Sequence, residues 1–192
     1  MTKGIKGRKI NIPNLLTFFR ILLIPFIVFA FYSPSARYPW IAAALFAVAA
    51  ITDYFDGYLA RLWGQTSRLG RILDPIADKL LVTSVLLILA YNQRLGDWGL
   101  IPAIIILCRE VLVSGLREFM AEIRVGMPVT RLAKWKTAAQ LAALPCLIIG
   151  GTPPAAAWNL LGIGEVMLWV SAILTIITGY DYLRKSLQYI DD

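Results

Sequence analysis

Six apolar stretches, each close to the length that crosses a bilayer, occupy most of this chain: Asn14–Tyr32, Tyr38–Ala60, Ile72–Tyr91, Leu100–Leu116, Leu132–Gly150 and Ile163–Leu183. A span needs about 20 mostly apolar residues, so within 192 residues six of them leave room for little beyond short connections. Breakers fall where connections are needed: Ser33-Pro34 with Pro39, Gly96-Asp97, Gly126-Met127-Pro128, and the run from Gly150 to Pro154. Inside lipid each segment must satisfy its own backbone hydrogen bonds, which selects helices. The expected fold is therefore an all-α integral membrane protein with six transmembrane helices, a single domain over residues 1–192. Composition agrees, since 58% of residues are hydrophobic and 16% charged, against about 45–50% and about 25% in soluble domains. A soluble enzyme, a disordered tail and a chain with a large separate globular domain all fit this composition poorly.

The net charge of +7 is distributed as topology requires. Lys3, Lys6, Arg8 and Lys9 precede the first segment; Arg61, Arg68 and Arg71 lie between the second and third. Arg117, Arg124, Arg131, Lys134 and Lys136 surround the fourth connection, and Arg184 and Lys185 follow the last segment. The opposite side holds only Arg37 and Arg94, which places both termini in the cytoplasm by the positive-inside rule. The excess is topological, and no nucleic-acid partner is expected. The leader, residues 1–11, has the charge of a signal peptide, but the apolar stretch behind it is long and contains Arg20, so it reads as an uncleaved first helix. With Ile5 and Ile10 among its lysines, the leader also suits a short interfacial helix on anionic lipid. Cys108 and Cys146 sit inside apolar runs and suggest no disulfide framework. The chain has no histidine, which removes His-based zinc sites and Ser–His triads.

Charge inside the second to fifth apolar segments falls in their cytoplasmic halves, while Glu165 in the sixth reads as a residue of the outer interface. Asp53 and Asp56 lie in the second, Asp74, Asp78 and Lys79 near the start of the third, and Arg109, Glu110, Arg117 and Glu118 in the inner half of the fourth. Charge at the centre of a span costs roughly 2.5–3.5 kcal/mol per residue. Pairing of interfacial carboxylates with nearby arginines accounts for a single aspartate, but hardly for four at regular spacing. A wet cavity open to the cytoplasm is implied. At about 100° per residue, Asp53, Asp56, Gly57, Ala60 and Arg61 share an arc of about 140°. Gly70, Asp74 and Asp78 are spaced i, i+4, i+8 and share a face if the third helix begins by Gly70, although Pro75 makes its first turns a candidate for irregularity. Two helices joined by a short turn would aim two carboxylates each at one point. Gly57, Ala60 and Gly70 serve close helix packing or ligand approach, and both roles stay open. Four carboxylates without His or Cys make a hard, all-oxygen site suited to Mg²⁺, Mn²⁺ or Ca²⁺, with capacity for two ions of the kind that stabilise phosphoryl transfer.

In order along the chain, Asp53-x-x-Asp56-Gly57-x-x-Ala60-Arg61-x8-Gly70-x3-Asp74-x3-Asp78 matches, without departure, the signature of the CDP-alcohol phosphatidyltransferase family, which this chain resembles over nearly its whole length. Further supporting stretches run from Asn11 to Arg20, from Arg109 to Glu118 and from Lys134 to Thr137. The resemblance implies direct attack of an acceptor hydroxyl on the lipid-side phosphorus of CDP-diacylglycerol, with CMP leaving. It implies metal ligation of Mg²⁺ or Mn²⁺ by Asp53, Asp56 and Asp74, with Asp78 as general base and a possible fourth ligand. It also implies a CDP-diacylglycerol site lined by Gly57, Ala60, Arg61 and Gly70, a homodimer, and residence in the bacterial cytoplasmic (inner) membrane. Asn14, Thr17 and Arg20 are open between nucleotide contact and structural roles at the helix start.

Glycerol 3-phosphate is the acceptor that the resemblance favours, with inositol phosphate or phosphatidylglycerol as alternatives. Its phosphate needs cations that do not compete for the metal ligands, and Arg109, Arg117, Arg131, Lys134 and Lys136 are the candidates. Arg131 and Lys136 serve equally well as positive-inside loop charge, and Arg124 better so. Arg109 lies deep enough in the fourth segment that topology alone would not place it there. Glu110 and Glu118 read as partners that orient arginines. A cation-coupled transporter is the rival from another class, but it would need polar groups in the outer halves of the segments, and these are almost purely apolar.

Overall fold

The computed structural model describes residues 12–33, 35, 37–62, 68–127 and 130–189, with the backbone alone for residues 12, 13, 54–62, 68 and 71. The leader over residues 1–11 lies outside the described residues. These form seven helices and no strand: α1 Ile12–Phe31, α2 Tyr38–Leu62, α3 Arg68–Tyr91, α4 Leu100–Glu122, α5 Arg131–Ile149, α6 Pro153–Ala156 and α7 Leu160–Leu187.

Local chemistry sets the ends. The Thr130 side chain accepts a hydrogen bond from the Ala133 N–H at 3.2 Å and caps α5. Pro153 and Pro154 open the four-residue α6 where only a breaker run was expected, because proline lacks the N–H that the first turn leaves unused. The last turn of α7 carries Arg184 and Lys185, favourable at the negative end of a helix dipole. α3 starts at Arg68 and runs unbroken through Pro75, so Gly70, Asp74 and Asp78 do share a helix.

Packing departs from the simple two-helix picture. Among the described residues α2 and α3 make at most marginal contact, whereas α1 packs broadly on both. α7 packs on α5 and α4, and α2 reaches α5. One core runs through the bundle, with Ile27, Phe46, Leu81, Leu89, Leu144 and Leu168 fully or almost fully buried. Small residues allow this closeness: a Cβ at Gly164 would stand 2.8 Å from Leu147 Cγ, so α5 and α7 could not approach as they do with a larger residue there.

The outer faces are apolar too. Leu15, Phe18, Leu22, Phe26 and Phe29 form an exposed stripe along α1, and Val166, Val170, Ile173 and Ile177 another along α7. Two helices, over Asn14–Phe31 and Leu160–Leu187, are long and apolar enough to cross a membrane, and Tyr38–Asp53 is a shorter apolar stretch. The other long helices combine an apolar end with a charged one, which is where the functional groups gather.

Candidate active site

Thr17 and Arg20, three residues apart on α1 and fully buried, tie the two aspartate-bearing helices together. Arg20 NH1 lies 2.6 Å from Asp53 Oδ1 on α2, and the Thr17 hydroxyl donates to Asp74 Oδ1 on α3. A guanidinium with 0% exposure is tolerable only beside a counter-charge. The Asp53 side chain keeps 44% exposure, so it retains access to solvent or ligand on its far side. α1 is thus a strut between two carboxylates, not merely an anchor.

A cavity of about 390 Å³ opens between α3, α4, α5 and α7, lined among others by Asp78, Arg109, Glu110, Arg117, Lys136 and Tyr182. Glu110 organises its cations, accepting from the Lys136 ammonium and lying 3.4 Å from Arg109 NH1. Arg109 is held a second time from α7, where its NH2 donates to Thr178 Oγ1 at 3.1 Å and its guanidinium stands 5.6 Å from the centre of the Tyr182 ring. A Cβ on Gly179 would come within 3.0 Å of Arg109 Cγ, so the bare backbone there lets the arginine lie against α7. Lys136 is 6% exposed, and its carbonyl accepts from Ser171 at 3.3 Å. The result is a set of cations already oriented and partly neutralised, with Asp78 across the same space. Such a cavity can hold an anionic substrate and take up a proton beside it.

Asn14 lies half-buried near the start of α1, and Gly70 is buried in α3. The backbones of Asp56, Gly57, Ala60 and Arg61 belong to α2, but their side chains lie outside the described residues. Arg117 lines the cavity from an exposed position, while Arg131 and Lys134 are exposed at the start of α5 and do not line it. Lys136, ambiguous by sequence, is a buried member of the cavity. Sequence reasoning assigned no site role to Thr178 or Tyr182 and left Arg20 open. A signal existed for α7: Ser171, Thr175, Thr178, Tyr182 and Ser186 recur every three or four residues in a largely apolar helix, and all are buried.

The donor chemistry of Asp53, Asp74 and Asp78 suits a hard divalent ion, being all carboxylate oxygen with one side chain partly open. Among the described residues no three acidic side chains are gathered closely enough to hold an ion unaided.

Comparison with known proteins bears on this arrangement. A family model described as CDP-alcohol phosphatidyltransferase matches residues 10–177. A protein of Rickettsia felis is 46% identical over 179 residues, covering 93% of this chain and 97% of its own length. One from Cereibacter sphaeroides is 39% identical over 220 residues, with 95% and 98% covered. One from Haemophilus influenzae is 44% identical over 182 residues, with 92% and 93% covered. All three bear the name CDP-diacylglycerol–glycerol-3-phosphate 3-phosphatidyltransferase.

Proposed function

The chain belongs to the CDP-alcohol phosphatidyltransferase family, and on that premise we propose that it transfers the phosphatidyl group of CDP-diacylglycerol to sn-glycerol 3-phosphate, giving phosphatidylglycerophosphate and CMP. It is a membrane transferase of phospholipid biosynthesis. The observation that carries this reading is the cavity in which Asp78 faces Arg109, Arg117 and Lys136: a carboxylate able to accept a hydroxyl proton beside cations able to hold a phosphate.

The acceptor phosphate sits against Arg109, Arg117 and Lys136, with the exposed Arg131 and Lys134 adding attraction from the rim. Asp78 takes the proton of the acceptor hydroxyl as its oxygen bonds to the phosphatidyl phosphorus. The bond from that phosphorus to the bridging oxygen breaks, and CMP leaves with the electron pair. No side chain is needed as a covalent nucleophile, so a single displacement suffices. We assign Asn14, Gly57, Ala60, Arg61 and Gly70 to the nucleotide end, with the fully buried Thr17 acting behind it through Asp74. The family is generally dependent on divalent metal. We assign two ions, Mg²⁺ or Mn²⁺, to Asp53, Asp56, Asp74 and Asp78, where they would supply neutralising charge for the diphosphate. Arg20 and Thr17 hold two of those carboxylates in place.

The same reading makes residues 1–192 one domain of six spans in the bacterial inner membrane, working as a homodimer, with termini and cavity on the cytoplasmic side. Supporting it are the exposed apolar stripes of α1 and α7 and the segregation of lysine and arginine to one set of connections.

Purified protein given CDP-diacylglycerol should release CMP only with both a divalent ion and glycerol 3-phosphate present, and the lipid product should be phosphatidylglycerophosphate. Equal product from inositol phosphate or phosphatidylglycerol would overturn the acceptor assignment, and ion flux in proteoliposomes without nucleotide would favour the transporter. Arg109→Ala removes a charge-assisted phosphate contact, so the KM for glycerol 3-phosphate should rise about 30-fold or more with little change in that for CDP-diacylglycerol. Equal rises in both would remove Arg109 from the acceptor site.

A further inference from the structure

At the opposite ends of the helices from the carboxylates, a second cavity of about 220 Å³ opens between the end of α1, the end of α3 and the α5–α6 connection. Its lining is polar, with Ser33, Ser35, Asn92, Arg94 and Thr152 contributing. Arg94 NH1 is buried there without a hydrogen-bond partner, and among the described residues no carboxylate pairs with the Arg94 guanidinium. That guanidinium lies across Gly151, where a Cβ would stand 1.5 Å from NH1. The backbone thus leaves a notch for a cation whose counter-charge the protein does not provide. A guanidinium nitrogen buried without a partner is costly, and hydroxyls and an amide around this half-buried arginine complete the donor set of a phosphate site.

We propose that this cavity binds a phosphate group, that of a membrane phospholipid at the surface opposite the catalytic cavity. The choice of a lipid rests on the membrane reading above and on the aromatic side chains at the same level. Tyr32 and Tyr91, at the ends of α1 and α3, are exposed with ring centres 6.3 Å apart, and Trp98 and Trp158 are exposed nearby in the chain. Such residues mark the headgroup layer, where a phosphodiester meets Arg94 while its acyl chains follow the apolar outer faces.

The test uses the full chain in maltoside micelles, which contain no phosphate, with binding followed by thermal shift and by native mass spectrometry. The probes are short-chain phosphatidylglycerol, diacylglycerol of the same chain length and inorganic phosphate. Phosphatidylglycerol should stabilise the protein and diacylglycerol should not. Arg94→Gln should weaken that binding about tenfold or more, and the difference from wild type isolates this site from the catalytic cavity. Gly151→Ala keeps the charge but displaces the guanidinium, so it should weaken binding similarly. CMP release should persist in both variants, which separates failure here from failure of the catalytic assignment. If inorganic phosphate alone stabilises wild type and not Arg94→Gln, the phosphate site stands with a free anion as occupant. Undiminished phosphatidylglycerol binding in both variants would overturn the site.

Discussion

Asp78→Asn should lower kcat by about 10²–10⁴-fold, the usual contribution of a positioned general base. The amide keeps the size of the carboxylate but cannot accept a proton from the acceptor hydroxyl. Asp78 lines the same cavity as Arg109 and Lys136, so as the proposed base its loss strikes proton removal from the acceptor more than the binding of the nucleotide lipid. Metal-dependent binding of CDP-diacylglycerol by the variant should stay within a few-fold of wild type, measured by equilibrium titration in micelles. Turnover near that of wild type would take the base role away from Asp78. A matching collapse of nucleotide-lipid binding would instead make it chiefly a metal ligand.

The second large effect is expected at Arg20. Arg20→Met removes a fully buried cation that lies 2.6 Å from Asp53, and breaking a buried pair by removing one partner costs about 3–5 kcal/mol. Because the Asp53 side chain is 44% exposed, water can partly replace the lost partner, and about 3 kcal/mol is the expected magnitude. Turnover should fall as well, since Asp53 loses the contact that orients it. Arg20→Lys should recover part of both, as an ammonium keeps the charge but not the planar fork. Combining Arg20→Met with Asp53→Asn in a double-mutant cycle measures the coupling directly. A coupling near zero, with unchanged thermal stability of Arg20→Met, would reduce Arg20 to packing.

Much of the charged end of the bundle was legible in the sequence. The aspartate spacing needs only helical geometry, and Gly70, Asp74 and Asp78 do fall on one unbroken helix despite Pro75. Arg109 was marked by its depth in an apolar segment, and it is held by Glu110, Thr178 and Tyr182. Lys136 was not separable from Lys134 or Arg131, because all three lie within one turn and a half of a charged helix start. Only the position of α4 makes Lys136 a buried partner of Glu110. Arg20 was visible as a charge inside an apolar run, but no spacing rule connects it to Asp53, more than thirty positions away.

Local periodicity, the crowding of charge at one end of the second to fifth segments and the aspartate spacing depend on short-range geometry alone, and the sequence by itself determined them: an all-helical chain with most of its charge at one end. Which helices meet depends on how side-chain volumes fill the bundle. Tertiary structure alone therefore decided that α1 stands as the strut between Asp53 and Asp74, that α7 clamps Arg109, and that Arg94 lies unanswered over Gly151. Each of these joins groups far apart in the chain, and close packing, not sequence spacing, sets the distance between them.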